Sequence, residues 1–392
     1  MATVVNPNLM SDLQKFGAPD INACFSCGNC TAICPLADND ATFPRRFIRL
    51  AQVGLTDELV TSKELWTCYQ CGMCTDRCPQ EADPSEFMAT ARRYAIAKLD
   101  KTRIARAMYT SPVAAVIISL IGLAIFGGFF ASAQAEEGAR LVFGVPYEWI
   151  HTVGLVVMIL VALIAIFNLA MMARATAKRD GVTAKSLFGS KAAWGRTLRS
   201  LWYAIGVESL GQKRYREDCA DDNPVEPLYR RRWLIHTLTL WGFVALFAAT
   251  LIHYAGDIIG VPEAVAEVAI TPVARTIGTL GGLAMMYGVS WFMINRHQKV
   301  SAAAQHSAPS DWLFLWMLWI TGLTGFIIEV SLLFPGGHPQ PWSYVLFLVH
   351  VAIAMELVLF MPFTKFAHVM YRPVALFFYG LAKDEHRELQ SV

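Results

Sequence analysis

Eight of the nine cysteines in this 392-residue chain form two runs with the same internal spacing. Each run follows the pattern C-x2-C-x2-C-x3-C-P, which is typical of chains that hold two [4Fe–4S] clusters. The tight loop directs three thiolates at one centre, and in two-cluster folds the fourth thiolate comes from the other run. We therefore predict one cluster on Cys24, Cys27, Cys30 and Cys78, and the other on Cys68, Cys71, Cys74 and Cys34.

Two other uses of cysteine match this pattern less well. A structural zinc ion takes four ligands from two C-x2-C pairs, whereas each run here has four cysteines of its own. A disulfide framework needs an oxidising compartment, and the sequence begins without the apolar stretch of a secretory signal. We therefore expect reduced thiols, including the ninth cysteine, Cys219, which stands alone in a polar segment.

Composition divides the chain into a polar part and an apolar part. Hydrophobic residues make up 55% of the chain and charged residues only 16%, which is too apolar for an ordinary soluble protein. The net charge is +2, and no basic stripe interleaved with aromatic residues indicates a nucleic-acid partner. We predict an all-α protein with a cytoplasmic cluster domain at residues 1–105 and a membrane domain at residues 106–392.

Helices are the expected framework of the polar domain. Pro44 and Pro84 open two stretches that follow the cysteine runs, as prolines in a first helical turn do. Alternation of the kind that strands show is not evident in this domain. The 44 positions from Cys24 to Cys68 are also more than a compact β-type ferredoxin would have. We therefore predict an α-helical ferredoxin domain that packs around both clusters.

Six apolar stretches are long enough to cross a bilayer, which takes about 20 residues. They are Pro112–Ala133, Tyr147–Ala173, Trp233–Tyr254, Pro272–Asn295, Trp312–Phe334 and Trp342–His368. The connection at 174–232 has 13 lysines and arginines, whereas Arg140 is the only one between the first two stretches. Because basic residues concentrate on the cytoplasmic side, we predict a multi-pass protein of the cytoplasmic membrane. Both termini and the clusters would then be cytoplasmic.

Four histidines lie at matched depths on the third and sixth stretches. His236 and His368 are near the cytoplasmic ends, and His253 and His350 are near the outer ends. The two members on one helix would be roughly 25 to 27 Å apart, which suits two stacked b-type haems with paired imidazole ligands. His253 is out of phase with His236, so His151 is the alternative outer ligand. The other interpretation is that these histidines lie at the membrane interfaces without haem.

These features resemble known subunits of membrane oxidoreductases. The cysteine domain resembles the C subunit of heterodisulfide reductase. The six-span part resembles that enzyme's membrane cytochrome b subunit and, more distantly, the membrane subunit of respiratory nitrate reductase. Over nearly its whole length the chain resembles the C subunits of the quinone-interacting membrane-bound oxidoreductases of sulfate-reducing microbes, which join these two parts.

The resemblance implies an electron-transfer subunit with menaquinol as its donor. It also implies cytoplasmic partner subunits with flavin and iron–sulfur centres, and adenylylsulfate reductase as the eventual acceptor. No G-x-G-x-x-G run follows a strand in this chain, so flavin or nicotinamide chemistry is expected in another subunit. Two alternatives are a heterodisulfide reductase-type subunit with a thiol–disulfide acceptor and a haem-free membrane anchor for redox subunits.

Quinol oxidation needs polar groups that contact the ring oxygens and take up protons. Near the predicted outer face, Arg275, Asp257 and Glu329 are the candidates, with an ordinary interfacial arginine as the alternative for Arg275. Glu356 is a candidate for a proton path, because a carboxylate at that depth is costly unless it is used or paired. An inner quinol site near His236 and His297 is the alternative.

The cationic connection 174–232 has two possible partners. Trp194–Trp202 has aromatic and basic residues at helical spacing. This pattern suits docking of a partner subunit together with the cluster domain, and it equally suits an amphipathic helix on the lipid headgroups.

Overall fold

The structure is a computed structural model, and it describes residues 4–37, 43–134, 141–218, 227–262, 265–300, 302–332 and 341–390. Cys219 and Arg140 lie outside the described residues. Most of the chain is helical, as predicted. A short antiparallel hairpin, Leu141–Val142 with Val145–Pro146, is the one addition that the described residues make to the all-α architecture.

Short helices surround the cysteine runs of the polar domain. They are α1 (Leu9–Lys15), α2 (Asn29–Ala32), α3 (Arg45–Gln52), α4 (Thr56–Val60), α5 (Glu64–Thr67), α6 (Met73–Asp76), α7 (Pro84–Leu99) and α8 (Ile104–Thr110). Helix α7 is the long central one. It begins where the Asp83 side chain accepts the N–H of Glu86 (3.2 Å) and Pro84 takes the first helical position. Its apolar side chains, including Phe87 and Tyr94, form the core on which the other helices pack.

The described residues contain six helices that are long and apolar enough to cross a membrane, as predicted. Spans one to six are Pro112–Ser132, Tyr147–Arg179, Arg232–Ile258, Thr271–Gln298, Pro309–Ser331 and Pro341–Leu359. Their large apolar side chains are mostly exposed, as suits helices that face lipid. Successive spans alternate in direction. We call the end that contacts the polar domain the cluster side, and the opposite end the far side.

The sixth span is shorter than the sequence suggests. The predicted stretch Trp342–His368 is interrupted after Leu359, where two 3-10 turns, Met361–Phe363 and Lys365–Ala367, replace the helix. Pro362 causes the interruption, because it has no N–H to donate and its ring blocks continuation of the preceding helix. A separate C-terminal helix, His368–Gln390, follows. The prediction that His350 and His368 share one helix is therefore wrong.

Contacts between the polar and membrane domains are extensive. Trp66 of α5 stacks on Tyr371 of the C-terminal helix, with ring centres 4.7 Å apart. At the end of span two, Arg179 binds Glu64 (3.0 Å) and Asp180 binds Lys63. One hydrophobic core continues from the polar domain into the membrane helices. These contacts hold the cysteine runs in a defined position over the cluster side.

Candidate functional site

Both cysteine runs adopt the same local backbone. Ser26 and Gln70, which precede the second cysteine of each run, have φ of 61° and 54°. Gly28 and Gly72, which follow that cysteine, have φ of 89° and 96°, a region that glycine adopts without steric cost. Each glycine then starts a one-turn helix that carries the third cysteine. The turn thus returns three thiols of a run toward one space.

One small cavity lies among the thiols of the second predicted cluster. It is lined by Cys34, Cys68, Cys71 and Cys74, together with apolar neighbours. Burial raises the pKa of Cys34 to about 12, and the Cys68 and Cys71 thiols contribute in the same direction. Burial also raises the pKa of Cys74. Buried thiols so close together become thiolates when a metal centre offsets their charge, so this donor set fits a [4Fe–4S] cluster.

Neighbouring thiols of the first predicted cluster surround Cys30. Burial raises the pKa of Cys30, and Cys24, Cys27 and Cys78 also raise it. Cys78 belongs to the other run, and a hydrogen bond from the Asn29 amide to the Arg77 carbonyl joins the two runs beside it. Cys27 is exposed, so this set opens to the surface. Within the described residues, no group of three or more His, Cys, Asp or Glu side chains has the arrangement that would hold a single metal ion.

A positively charged side chain of the C-terminal helix binds the loop that leads into the second cysteine run. Arg372 Nη1 donates to the carbonyls of Trp66 (2.9 Å), Thr67 (3.3 Å) and Cys68 (3.4 Å). Its guanidinium also lies 4.5 Å from the centre of the Tyr69 ring. This arginine therefore fixes the second run to the membrane domain.

Two more arginines bind backbone carbonyls around the same cavity. Arg232, at the start of span three, donates to the carbonyls of Cys71 (3.1 Å) and Gln70 (3.2 Å). Arg214 donates to the carbonyl of Pro35 (3.1 Å), the residue after Cys34. The cysteines of the second predicted cluster thus face the membrane domain.

Replacing Arg372 by glutamine should destabilise the attachment of the cluster domain. Hydrogen bonds from a charged donor contribute about 1.5–3 kcal/mol each, and the shorter glutamine would leave the Trp66 and Thr67 carbonyls without this donor. We expect thermal loss of the cluster absorbance to begin several degrees lower than in the unmodified chain. Arg106→Gln, a substitution at an exposed arginine of α8, is the control and should leave that temperature unchanged. Equal effects of the two changes would contradict this role of Arg372.

Two of the predicted haem ligands face each other on the cluster side. The ring centres of His236 and His368 are 6.4 Å apart, and two imidazoles that bind one metal from opposite sides have centres roughly 6 Å apart. His368 Nδ1 lies 2.6 Å from the Lys365 carbonyl, and His236 Nδ1 lies 3.0 Å from Gln212 Oε1. Such contacts leave Nε2 available for a metal. Burial lowers the pKa of His368 to about 4, which keeps the ring neutral. The pair therefore fits a b-type haem.

Aromatic rings bridge this pair and the second cysteine run. The Tyr215 ring centre is 5.4 Å from that of His236 and 5.6 Å from that of Tyr69, which lies between Cys68 and Cys71. The Tyr69 hydroxyl donates to Glu208 (3.0 Å), whose pKa is raised by burial. These residues were not among the predicted site residues. A tyrosine inside a C-x2-C loop was a signal, but nothing in the sequence paired it with Tyr215.

The far-side histidines are arranged differently. His350 Nδ1 lies 2.9 Å from the Thr324 hydroxyl, and Gly325 packs so closely that a Cβ there would lie 3.2 Å from the ring. His151 stacks on Tyr254, with ring centres 5.0 Å apart. His253 is half-buried on span three. His350 thus has an Nδ1 contact like those of the cluster-side pair, and the choice between His253 and His151 as its partner stays a prediction.

Two of the three predicted quinol-site residues are in direct contact. Arg275 Nε donates to Glu329 Oε1 (2.9 Å), and the Thr279 hydroxyl donates to the same carboxylate. Asp257 instead accepts a hydrogen bond from Tyr147. The Arg275 and Glu329 side chains are 44% and 30% exposed, so the pair lies at the surface of the far side.

The connection between spans two and three contains an amphipathic helix, Lys191–Trp202. Its small face, including Ala193 and Ser200, is buried. Trp194, Leu198 and Trp202 are exposed on it. An exposed apolar face beside the membrane helices favours contact with lipid headgroups over docking of a partner.

Two family models together cover most of the chain. One, described as "Citrate utilization protein B", matches residues 100–388, and the other, a "4Fe-4S dicluster domain", matches residues 20–82. The second match confirms the prediction of an iron–sulfur domain that contains both cysteine runs.

Three curated relatives share parts of the chain. Citrate utilization protein B of Escherichia coli is 31% identical over 173 residues, which are 43% of this chain and 42% of that protein. The iron-sulfur C subunit of the CoB–CoM heterodisulfide reductase of Methanopyrus kandleri is 33% identical over 70 residues, 16% of this chain and 36% of that protein. The C subunit of the H(2):CoB-CoM heterodisulfide,ferredoxin reductase of Methanothermobacter thermautotrophicus is 32% identical over 62 residues, 16% of this chain and 34% of that protein.

The chain spans less than half the length of each of these relatives. The resemblance of the cysteine domain to the C subunit of heterodisulfide reductase is confirmed, and both of these relatives are named as subunits of a reductase. No solved structure matches the chain.

Proposed function

The chain belongs to the citrate utilization protein B family, and from this premise we propose that it connects the quinone pool to a soluble redox partner. In this proposal menaquinol is oxidised in the membrane, and its electrons reach cytoplasmic flavin and iron–sulfur subunits of the same complex. The observation that carries the proposal is the continuous set of ring contacts from His368 through His236 and Tyr215 to Tyr69. It joins a paired-imidazole site to a cysteine cavity over a short distance.

Each cofactor has proposed ligands in this chain. His236 and His368 would hold the inner haem, and His350 would hold the outer haem with His253, or with His151 as the alternative. The cluster ligands are the crossed sets, with Cys78 completing the first and Cys34 completing the second. When bound, these groups supply one-electron carriers, while the protein sets their positions and surroundings.

The neighbouring side chains have positioning roles in this proposal. The Lys365 carbonyl contacts Nδ1 of His368, and the Gln212 side chain contacts Nδ1 of His236. These contacts would orient the two rings and leave each Nε2 for the haem iron. Arg372 lies one helical turn after His368 and also reaches the Cys68 carbonyl. A single helix thus links the haem ligand to the cysteine loop, so the distance between the two sites is held constant.

The partner is proposed to dock at the exposed end of the cluster domain. Phe25 is 61% exposed and Cys27 is also exposed, whereas the second cysteine run is covered by the membrane domain. Electrons would leave through the first cluster. The cationic connection 174–232 supports a cytoplasmic location for this side, by the positive-inside bias.

Two kinds of soluble redox partner suit this arrangement. By its resemblance to the quinone-interacting membrane-bound oxidoreductases, the chain would deliver electrons from menaquinol toward adenylylsulfate reductase. The second candidate reverses the flow, so that a soluble partner acting on citrate or a related acid donates electrons to quinone. The name of the E. coli relative supports it. Identification of the subunits that co-purify with the chain separates these candidates, and a thiol–disulfide partner would indicate the heterodisulfide reductase type.

The outer quinol site is proposed around Arg275, with Glu329 and Asp257 as proton acceptors. Oxidation there, followed by electron exit on the cluster side, would move charge across the membrane. Proteoliposomes that contain the chain, with an artificial one-electron acceptor on the cluster side, should then give an uncoupler-sensitive signal from a potential-sensitive dye when a soluble menaquinol analogue is added. Arg275→Ala should reduce the quinol oxidation rate by about tenfold or more, because it removes the cation of the proposed site and leaves Glu329 with the Thr279 hydroxyl as its donor.

The same preparation tests the function as a whole. Pyridine haemochrome analysis should give two b haems per chain, and quinol should reduce them. Thr250→Ala is the control for Arg275→Ala. It changes a far-side threonine of span three outside the proposed site and should leave the quinol oxidation rate unchanged. Full clusters without haem would establish the haem-free anchor instead. An unchanged rate in Arg275→Ala, with no dye signal, would remove the outer site.

A further inference from the structure

A cavity of about 310 Å³ lies beside span three on the cluster side. One wall is formed by Trp233, Thr237 and Trp241, which lie one helical turn apart and therefore on one face of the span. The opposite wall is the end of the π-helix Tyr203–Leu210 and the residues after it, including Gln212. The volume is in the range of pockets that hold a small organic ring system.

A buried amide donor without a partner lines this cavity. Gln212 is only 5% exposed, and its Nε2 has no hydrogen-bond partner among the residues that the structure describes. Its Oε1 contacts His236 Nδ1 (3.0 Å) and the Thr237 hydroxyl (3.2 Å). Buried donors are rarely left without an acceptor, because desolvation is then not compensated. Gln212 also has a φ of 48°, a region costly for a residue other than glycine. An acceptor oxygen supplied by a ligand would resolve the unpaired donor.

The two ends of the cavity differ in character. Trp241 is 46% exposed on the membrane helix, and its Nε1–H donates to the Leu210 carbonyl (3.1 Å), which fixes this aromatic wall. At the other end Arg216 is exposed on the short helix that follows the π-helix. A ligand for this cavity therefore combines a flat apolar ring, a carbonyl oxygen for Gln212 and an apolar tail that continues into lipid.

We propose that this cavity binds a quinone headgroup, with one ring carbonyl accepting the Gln212 Nε2–H. The inference rests on the proposed function and adds a quinone site on the cluster side to the one proposed on the far side. The same amide contacts His236 through Oε1. Binding of a quinone to Gln212 would therefore change the surroundings of the proposed inner haem ligand. Quinol formed or consumed here would exchange its two protons with the aqueous end near Arg216, and its two electrons with the carriers of this chain.

Photolabelling of the haem- and cluster-loaded chain in phosphatidylethanolamine–phosphatidylglycerol nanodiscs tests the inference. The probe is an azido-naphthoquinone with a short isoprenoid tail, and labelled peptides are located by mass spectrometry. We expect labelling of peptides from 206–216 and 233–241, with competition by the unlabelled naphthoquinone. Gln212→Glu keeps an oxygen for His236 but replaces the donor, so it should weaken labelling by the probe by about tenfold, and pyridine haemochrome analysis of the same variant counts its haems. Leu210→Trp should fill the cavity and abolish this labelling.

Each possible labelling result either supports the inference or overturns it. Arg275→Ala should leave the cluster-side labelling intact, since that residue belongs to the far side. Labelling confined to peptides around residues 275 and 329 would overturn the inference and leave the proposed function standing. Competition by phosphatidylglycerol but not by naphthoquinone would make the cavity a lipid site and would also overturn it. No labelling anywhere in the unmodified chain, with haems and clusters present, would contradict the quinone-linked function itself.

Discussion

Replacing His368 by alanine should lower the haem content from two per chain to one and slow electron transfer from quinol to the clusters by more than about 100-fold. Loss of a group that only orients a metal ligand already costs about 10–100-fold, and this change would remove a ligand itself. The expectation depends on the 6.4 Å separation of the His368 and His236 rings and on their Nδ1 contacts. His236→Ala should have the same effect, because each imidazole would be one of the two ligands of the proposed inner haem.

His297→Ala is the matched control. His297 is exposed at the cluster-side end of span four, so its loss should leave both haems in place. Pyridine haemochrome analysis counts the haems, and the optical spectrum of the remaining haem reports whether the far-side site is intact. Two haems in His368→Ala would show that the ring pair is not a ligand pair. Its short separation would then be ordinary packing of two half-buried imidazole rings.

Replacing Cys34 by serine should damage the cluster held by Cys68, Cys71 and Cys74, not the one held by its own run. Cys34 lines one cavity with those three thiols, and burial together with the Cys68 and Cys71 thiols raises its pKa. A hydroxyl is a poorer ligand than a thiolate for an iron–sulfur cluster. We therefore expect loss or conversion of one cluster, visible by electron paramagnetic resonance, and a fall in electron transfer of similar size to that of His368→Ala.

The reciprocal variant provides the control for crossed ligation. Cys78→Ser should damage the cluster of Cys24, Cys27 and Cys30, since Cys78 affects the pKa of Cys30. Because that set opens to the surface, electrons should still reach the second cluster from the membrane but should no longer reach the partner. Damage confined to the Cys24–Cys30 cluster in Cys34→Ser would show that each run completes its own cluster.

Several features of this protein follow from local sequence alone. The spacing of the two cysteine runs is evident within a few residues, because a [4Fe–4S] cluster needs three thiolates from one tight loop. Six membrane helices follow from the lengths of the apolar stretches, since lipid requires every backbone group to be bonded within its helix. The resemblance of the cysteine domain to the heterodisulfide reductase C subunit also lies in these local patterns.

Other features depend on which segments meet in space, and no local pattern specifies that. Pro362 divides the predicted sixth span, so the pairing of His236 with His368 comes from the packing of a separate C-terminal helix and not from helical phase. Arg372, Arg232 and Arg214 look like membrane-flanking charges in the sequence, yet all three bind carbonyls around the second cysteine run. The cavity beside Gln212 likewise forms only where the π-helix packs against span three. Hydrogen bonds and ring contacts act over a few ångströms, so these partners are decided by the tertiary structure alone.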